Sequence, residues 1–453
     1  MVDEMTEREN KMGVMPVRRL VFTMSLPAMI SMLIGALYNI VESVFVAMIG
    51  EASLAAITLV FPIQMFMIAV GIGSGVGLNS LISRRLGQKL QERADTAASH
   101  GFFVAVVNWL IFAAFGLFFA GSFMGLYTSD EYILGASTLY CQMVTIGSLF
   151  SFVAIVCERT LQATGRMIPP MIFNITGAVL NIILSPILIL GLFGIPRLEI
   201  LGAGLACLIS QFVSAALALF LLFGFKQYVK IKLRGFRPEK DTLKDIYKVG
   251  LPTIITMSIN SVAIIGINAI LIGYSAAAIA VYGLYFRINS FVFMPLFGIN
   301  QGSLSIMGYN YGASNKKRLM QTIKTTMSTG ACIMAVGTAI FWLFTKQLLM
   351  LFSATPEMLE IGIPALRIIS IGFIPAAVCI ASTAFFQALA HAIFSMIITL
   401  MRQMIIALPL AWLLSSLFGL EYLWFALAIA EISAAVLTFF LIIKVYRKEV
   451  IHL

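Results

Sequence analysis

Charge is scarce in this chain. Of its 453 residues, 11% are Asp, Glu, Lys or Arg and 60% are hydrophobic, whereas a water-soluble domain carries about 25% charged residues. Such a chain cannot cover a water-facing surface with polar groups, which excludes a soluble fold. Histidine is nearly missing: His100, His391 and His452 are scattered along the chain, so no His-based metal or catalytic centre is expected. The five cysteines, Cys141, Cys157, Cys207, Cys332 and Cys379, lie in apolar segments without metal-ligand spacing. They read as small membrane-buried hydrophobes rather than a disulfide framework. No clustered nucleophile and base appear, so no catalytic residue is assigned. The net charge of +10 would suggest nucleic acid in a soluble protein. In a membrane protein it marks the cytoplasmic side instead, and no nucleic-acid partner is expected.

Long apolar runs are abundant. A membrane-spanning helix needs about 20 apolar residues, and twelve runs of that kind fall near 20–46, 54–80, 97–120, 133–156, 167–191, 201–225, 246–272, 277–303, 322–345, 358–387, 393–416 and 420–445. They are continuous rather than alternating, which argues against a strand barrel. The first run follows about twenty polar residues with no small-residue cleavage site after it, so it reads as an uncleaved span. Of the 30 Lys and Arg, 25 fall on the side of the N-terminus, every second loop and the C-terminus. Two, Arg197 and Lys346, fall opposite, and three, Arg287, Arg367 and Arg402, lie within runs. This asymmetry places both termini in the cytoplasm of a multi-pass protein of the cytoplasmic membrane.

The chain also matches itself at an offset of 225 residues. "SLPAMISM" at 25 meets "GLPTIITM" at 250, pairing Pro27 with Pro252. Gly87 pairs with Gly312, Arg93 with Arg318, Gly147 with Gly372, and Gln162 with Gln387. Each half holds six runs. The expected fold is therefore an all-α integral membrane protein of twelve transmembrane helices in two six-helix lobes, related by a pseudo-two-fold along the membrane normal. The lobes are drawn at 1–225 and 246–453, joined by a cytoplasmic linker at 226–245. Such architectures carry substrate between lobes that rock against each other.

The segments "LYNIVESVFVAMIGEASLAA" at 37, "GIGSGVGLNSLISRRLGQ" at 71, "LNIILSPILILG" at 180 and "FRINSFVFMPLFGINQGSLSIMGYNYGA" at 286 resemble the multidrug and toxic compound extrusion (MATE) family, and within it branches similar to the DNA-damage-inducible F group. The resemblance spans about 18 to 445. It implies two six-helix lobes forming a V and secondary active multidrug export, coupled to a proton or sodium gradient by alternating access. It implies no cofactor beyond the transported ion, amphipathic organic small molecules and membrane lipid as partners, and a monomer. By the same resemblance, Tyr38, Asn39, Asn174 and Asn181 line the N-lobe cavity. Ser185 stands where the family carries a second Asp, and Glu42 stands where its first helix carries an Asp.

A carboxylate within a span is costly unless paired, solvated or protonated, and marks ion or proton pathways. Glu42 is therefore the expected coupling group, with Asn39, Asn181 and Ser185 in its ion-coupling set. A lone acid favours protons over sodium, since hard cations take several oxygen ligands. Pro27, on the same run, is the expected hinge. Substrate-cavity candidates are Tyr38, Asn174, Met257, Asn260, Arg287 and Arg367. Arg287 and Arg367 lie at similar depth and, facing the cavity unpaired, would admit an anionic or zwitterionic substrate. Arg402 is expected to pair with Glu431. The glycines of "GIGSGVG" are read as close helix packing rather than a phosphate loop, because no strand precedes them. Two alternatives remain open: a flippase of lipid-linked saccharides, which needs a basic cavity, and a membrane-embedded enzyme, which needs a catalytic cluster.

Overall fold

The computed structural model describes residues 10–194, 196–225, 227–232, 235–352 and 354–453, with the side chains of residues 38–40, 42–44, 46, 47 and 51 outside the described set. Among the described residues every regular element is helical. That follows from the continuous apolar runs, because a segment crossing lipid must satisfy its backbone groups within itself. The spans are α1 (Val17–Ala47), α2 (Glu51–Gly87), α3 (Gln91–Phe118), α4 (Glu131–Ala163), α5 (Ile168–Leu190) and α6 (Glu199–Phe223). They continue with α7 (Lys240–Leu271), α8 (Ala276–Gly312) and α9 (Lys316–Leu343). The tenth, α10, is broken into Pro356–Ser370 and Phe373–Ala388 with a 49° bend. Next, α11 runs Ala392–Phe418 through a π-helical stretch at Met401–Ala407, and α12 is Leu420–Lys448. Among the described residues, eleven helices are long and apolar enough to span, and the bent pair taken as one span makes twelve.

The 225-residue repeat recurs in the helix boundaries. That offset carries Glu51–Gly87 onto Ala276–Gly312 and Gln91–Phe118 onto Lys316–Leu343. It also carries Glu131–Ala163 onto the outer limits of the broken α10. The halves differ where α4 passes Gly147 unbroken and α10 breaks beside Gly372. A Cβ at Gly372 would lie 3.1 Å from both Cβ and Cγ of Glu431, so the break brings backbone against a charged side chain.

Two compact units form. One comprises Asn10 and residues 30–250; the other comprises residues 11–29 and 251–453. A single cut within 226–245 does not describe this division. The opening part of α1 belongs with the second half, and the opening part of α7 belongs with the first. Paired small residues four apart secure both exchanges, since they let helix backbones approach closely. In the first unit, a Cβ at Gly77 would strike the carbonyl oxygen of Ile246, and one at Gly250 would lie 3.1 Å from that of Gly73. The second unit repeats the arrangement: a Cβ at Gly298 would lie 2.7 Å from Met29 Cα, and one at Gly302 would lie 3.0 Å from Ser25 N. The "GIGSGVG" glycines thus act in packing.

The segments that lead into α1 and α7 are tied down. Arg318 Nη2 donates to the carbonyls of Met12 (2.9 Å) and Met15 (2.7 Å), and Asn310 Nδ2 donates to Met12 (3.2 Å). In the first unit, Asp95 accepts from Lys230 N (2.9 Å), Ser99 from Lys232 N (3.0 Å) and His100 Nε2 from Glu239 N (2.7 Å).

Candidate functional site: a cavity within the second unit

Five helices of the second unit, α7, α8, α10, α11 and α12, line a partly open cavity of about 290 Å³. That is close to the lower end of the range for small-molecule sites, about 300–1,000 Å³. Its walls are largely apolar, with Tyr and Phe side chains among them. Tyr282 and Phe286 meet edge to face at 4.9 Å between ring centroids, and Phe293 meets Phe373 likewise at 5.4 Å. Along α8 the lining residues Tyr282, Phe286, Asn289, Phe293 and Phe297 follow one another at three- and four-residue intervals, which places them on one helix face.

The charged residues in the lining are Arg402 and Glu431. One 3.2 Å contact, Arg402 Nη1 to Glu431 Oε2, joins them. The pairing expected from sequence is therefore present, and it faces the cavity. Arg402 sits in the π-helical stretch Met401–Ala407, which ends two residues before Pro409. Proline lacks the N–H that would bond four residues back and crowds that carbonyl; insertion of wider turns upstream is the common local response, and such turns concentrate at functional sites. Asn260, Asn289 and Gln403 add uncharged amides to the lining. Among the described residues, three buried polar atoms of the lining have no hydrogen-bond partner: Arg402 Nε, Gln403 Oε1 and Asn289 Oδ1. Native interiors leave few such atoms.

Removing one partner of a buried pair strands the other charge, at a cost of about 3–5 kcal/mol, whereas replacing both with apolar residues is often neutral or stabilising. Arg402→Met is expected to lower unfolding stability in detergent strongly, and Arg402→Met with Glu431→Leu to restore it. Equal stability of the single and double variants would contradict this assignment of the pair.

Other residues singled out in the sequence are dispersed. Of the cavity candidates, Asn260 lines this chamber; Met257 is half-buried outside the lining. Arg287 is exposed and outside the lining. Arg367 is exposed too, donating to Thr345 Oγ1 and the Trp342 carbonyl, each at 3.3 Å. Depth along a helix was readable for both arginines; rotation about its axis was not. Pro27 is buried within α1, two residues before the chain passes from one unit to the other. The side chains of Tyr38, Asn39 and Glu42 lie outside the described residues.

The first unit brings together two polar groupings on α4 and α5. Ser185 Oγ donates to Asn181 Oδ1 at 2.8 Å, both residues being buried one turn apart. Asn174 Nδ2 donates to Glu158 Oε2 at 3.2 Å, and Gln162 Nε2 to Glu158 Oε1 at 2.8 Å. Arg159, 4% exposed, lies 3.7 Å from the same carboxylate. Glu158 is a carboxylate that hydropathy alone passes over. The apolar run ends near 156, whereas α4 continues to Ala163. The i, i+4 spacing of Glu158 and Gln162 is the signal that marks it.

The MatE family profile matches residues 27–187 and 252–413. "Multidrug export protein MepA" of Staphylococcus haemolyticus (strain JCSC1435) is 27% identical over 419 residues, covering 92% of this chain and 91% of that protein. Among solved structures, one described as the outward-facing conformation of a multidrug resistance MATE family transporter of the MOP superfamily superposes with TM-score 0.90 and 26% identity, covering 96% of this chain and 97% of its own. A MOP superfamily transporter from Pyrococcus furiosus, described as having a binding pocket of reverse polarity that suggests a different function, gives the same TM-score and identity over 97% of this chain and 99% of its own.

Proposed function

This chain belongs to the MatE family of multi-pass membrane transporters, and from that premise we propose that it exports amphipathic organic small molecules by cation-coupled antiport and alternating access. Membership of a transporter family sets aside the enzyme reading. The observation that carries the proposal is the largely apolar cavity lined by the spans of one unit, large enough for a small organic molecule. Its walls offer broad apolar and π surface with few fixed polar groups, which suits substrates that share amphipathicity more than shape. A flippase of lipid-linked saccharides calls for a basic chamber; here the one lining arginine is matched by a glutamate.

Coupling falls to Glu42 on α1, with Asn39 on the same helix and Asn181 and Ser185 on α5. Tyr38 and Asn174 extend the substrate path in the first unit. Pro27 is the hinge: α1, like α7, runs through both units, so displacement between them strains these two helices, and in α1 proline has already weakened the ladder. Both termini lie in the cytoplasm, in keeping with the Lys and Arg distribution.

The test is efflux of a dye panel from proteoliposomes under imposed pH or sodium gradients. A pH gradient is expected to drive efflux without sodium. Ala263→Phe, which fills the cavity from α7, is expected to stop efflux in protein that still folds. Unchanged efflux in that variant would remove the chamber from the transport path.

A further inference from the structure

We propose that the second-unit cavity takes zwitterionic ligands: small aromatic molecules carrying one anionic and one cationic group, which insert across Arg402 and Glu431. The inference rests on the chamber being a substrate site and deepens that reading. The two lining charges are opposite and adjacent, joined by one 3.2 Å contact. A guanidinium has five N–H donors in a planar fork suited to a carboxylate. Arg402 spends one on Glu431, and its Nε has no partner among the described residues. The pair is thus held at one point, with donor capacity left over.

Charge balance then selects the ligand. The pair is neutral as it stands. A net cation or net anion would leave one uncompensated charge among largely apolar walls inside a membrane, which is unfavourable. A zwitterion leaves none, because its carboxylate faces Arg402 while its ammonium faces Glu431. Gln403 Oε1 and Asn289 Oδ1, buried acceptors without partners, are suited to the remaining ammonium hydrogens. Phe286 and Phe293, which line the chamber, offer π surface against which a single aromatic ring can pack.

Three matched probes test this on the purified full-length protein by calorimetry: 4-(aminomethyl)benzoate as zwitterion, its methyl ester as cation and its N-acetyl derivative as anion. The zwitterion is expected to bind at least about tenfold more tightly than either, a difference of roughly 1.4 kcal/mol. Glu431→Gln is expected to transfer the preference to the N-acetyl anion, and Arg402→Gln to the ester. The double variant, which buries no lone charge, keeps the assay valid if a single variant fails to fold, and is expected to lose the preference for the zwitterion. Failure of the zwitterion to bind, equal binding of all three, or a zwitterion preference that survives in the double variant would overturn the proposal. Ala263→Phe separates the two readings. Equal binding of the three probes that this variant abolishes sinks the zwitterion assignment alone; binding that it leaves intact sinks the chamber.

Discussion

Gradient-driven efflux is expected to fall to the level of protein-free vesicles in Glu42→Gln proteoliposomes, with folding unaffected. The substitution keeps shape and hydrogen-bonding capacity and removes the ability to hold a charge or exchange a proton. An acid in a span is tolerated where it pairs, is solvated or carries a proton, and driving an antiport requires a group that changes state between the two sides. Glu42 is placed for that by sequence, on the helix that also carries Pro27 and is shared by both units. The decisive comparison is between efflux under a pH gradient and exchange of dye down its own gradient: loss of the first with retention of the second assigns Glu42 to coupling. Undiminished pH-driven efflux in Glu42→Gln would remove it from that role and turn attention to Glu158, the half-buried acid on α4.

Gly77→Val and Gly302→Val are each expected to destabilise the protein and to impair efflux. A Cβ at Gly77 would meet the carbonyl oxygen of Ile246, and one at Gly302 the backbone of Met24 and Ser25 at 3.0 Å. Backbone cannot swing aside as the end of a flexible side chain can, so the helices must part. Overpacking of this kind costs about 1–3 kcal/mol. Gly283→Ala is the control, because a Cβ there meets nothing within 4 Å. Thermal unfolding in detergent separates the cases. A Gly302→Val protein as stable as Gly283→Ala would show that close approach to α1 is not what holds its opening part in the second unit.

The spans were legible in the sequence because lipid leaves a chain few options, and about twenty consecutive apolar residues are a strong signal. The repeat was legible for a related reason: Pro27 with Pro252 and Gly87 with Gly312 keep their spacing in the helices themselves. Features fixed by neighbours rather than by hydropathy were not visible. The run at 358–387 is unbroken in composition, and the bend at Gly372 arises where Glu431 packs against it. The widened turns around Arg402 precede Pro409, a marked kink site, but no periodicity shows how the ladder rearranges. Glu158 was hidden because a helix can outlast its apolar run. The Arg402–Glu431 pair was readable as two opposite charges within spans. Its place in a cavity wall depends on helix rotation, which one sequence does not encode locally.

The trading of opening helical parts between units bears on how such a chain arose and how it can be divided. A half-length ancestor built on this plan would have had no self-sufficient protomer, because the glycine-bearing helix of each copy grips the leading turns of the other. It would have existed as an intertwined homodimer, and gene fusion would have made that embrace permanent. Splitting the present gene in the 226–245 connection should therefore yield fragments that are insoluble when made alone and that assemble when made together.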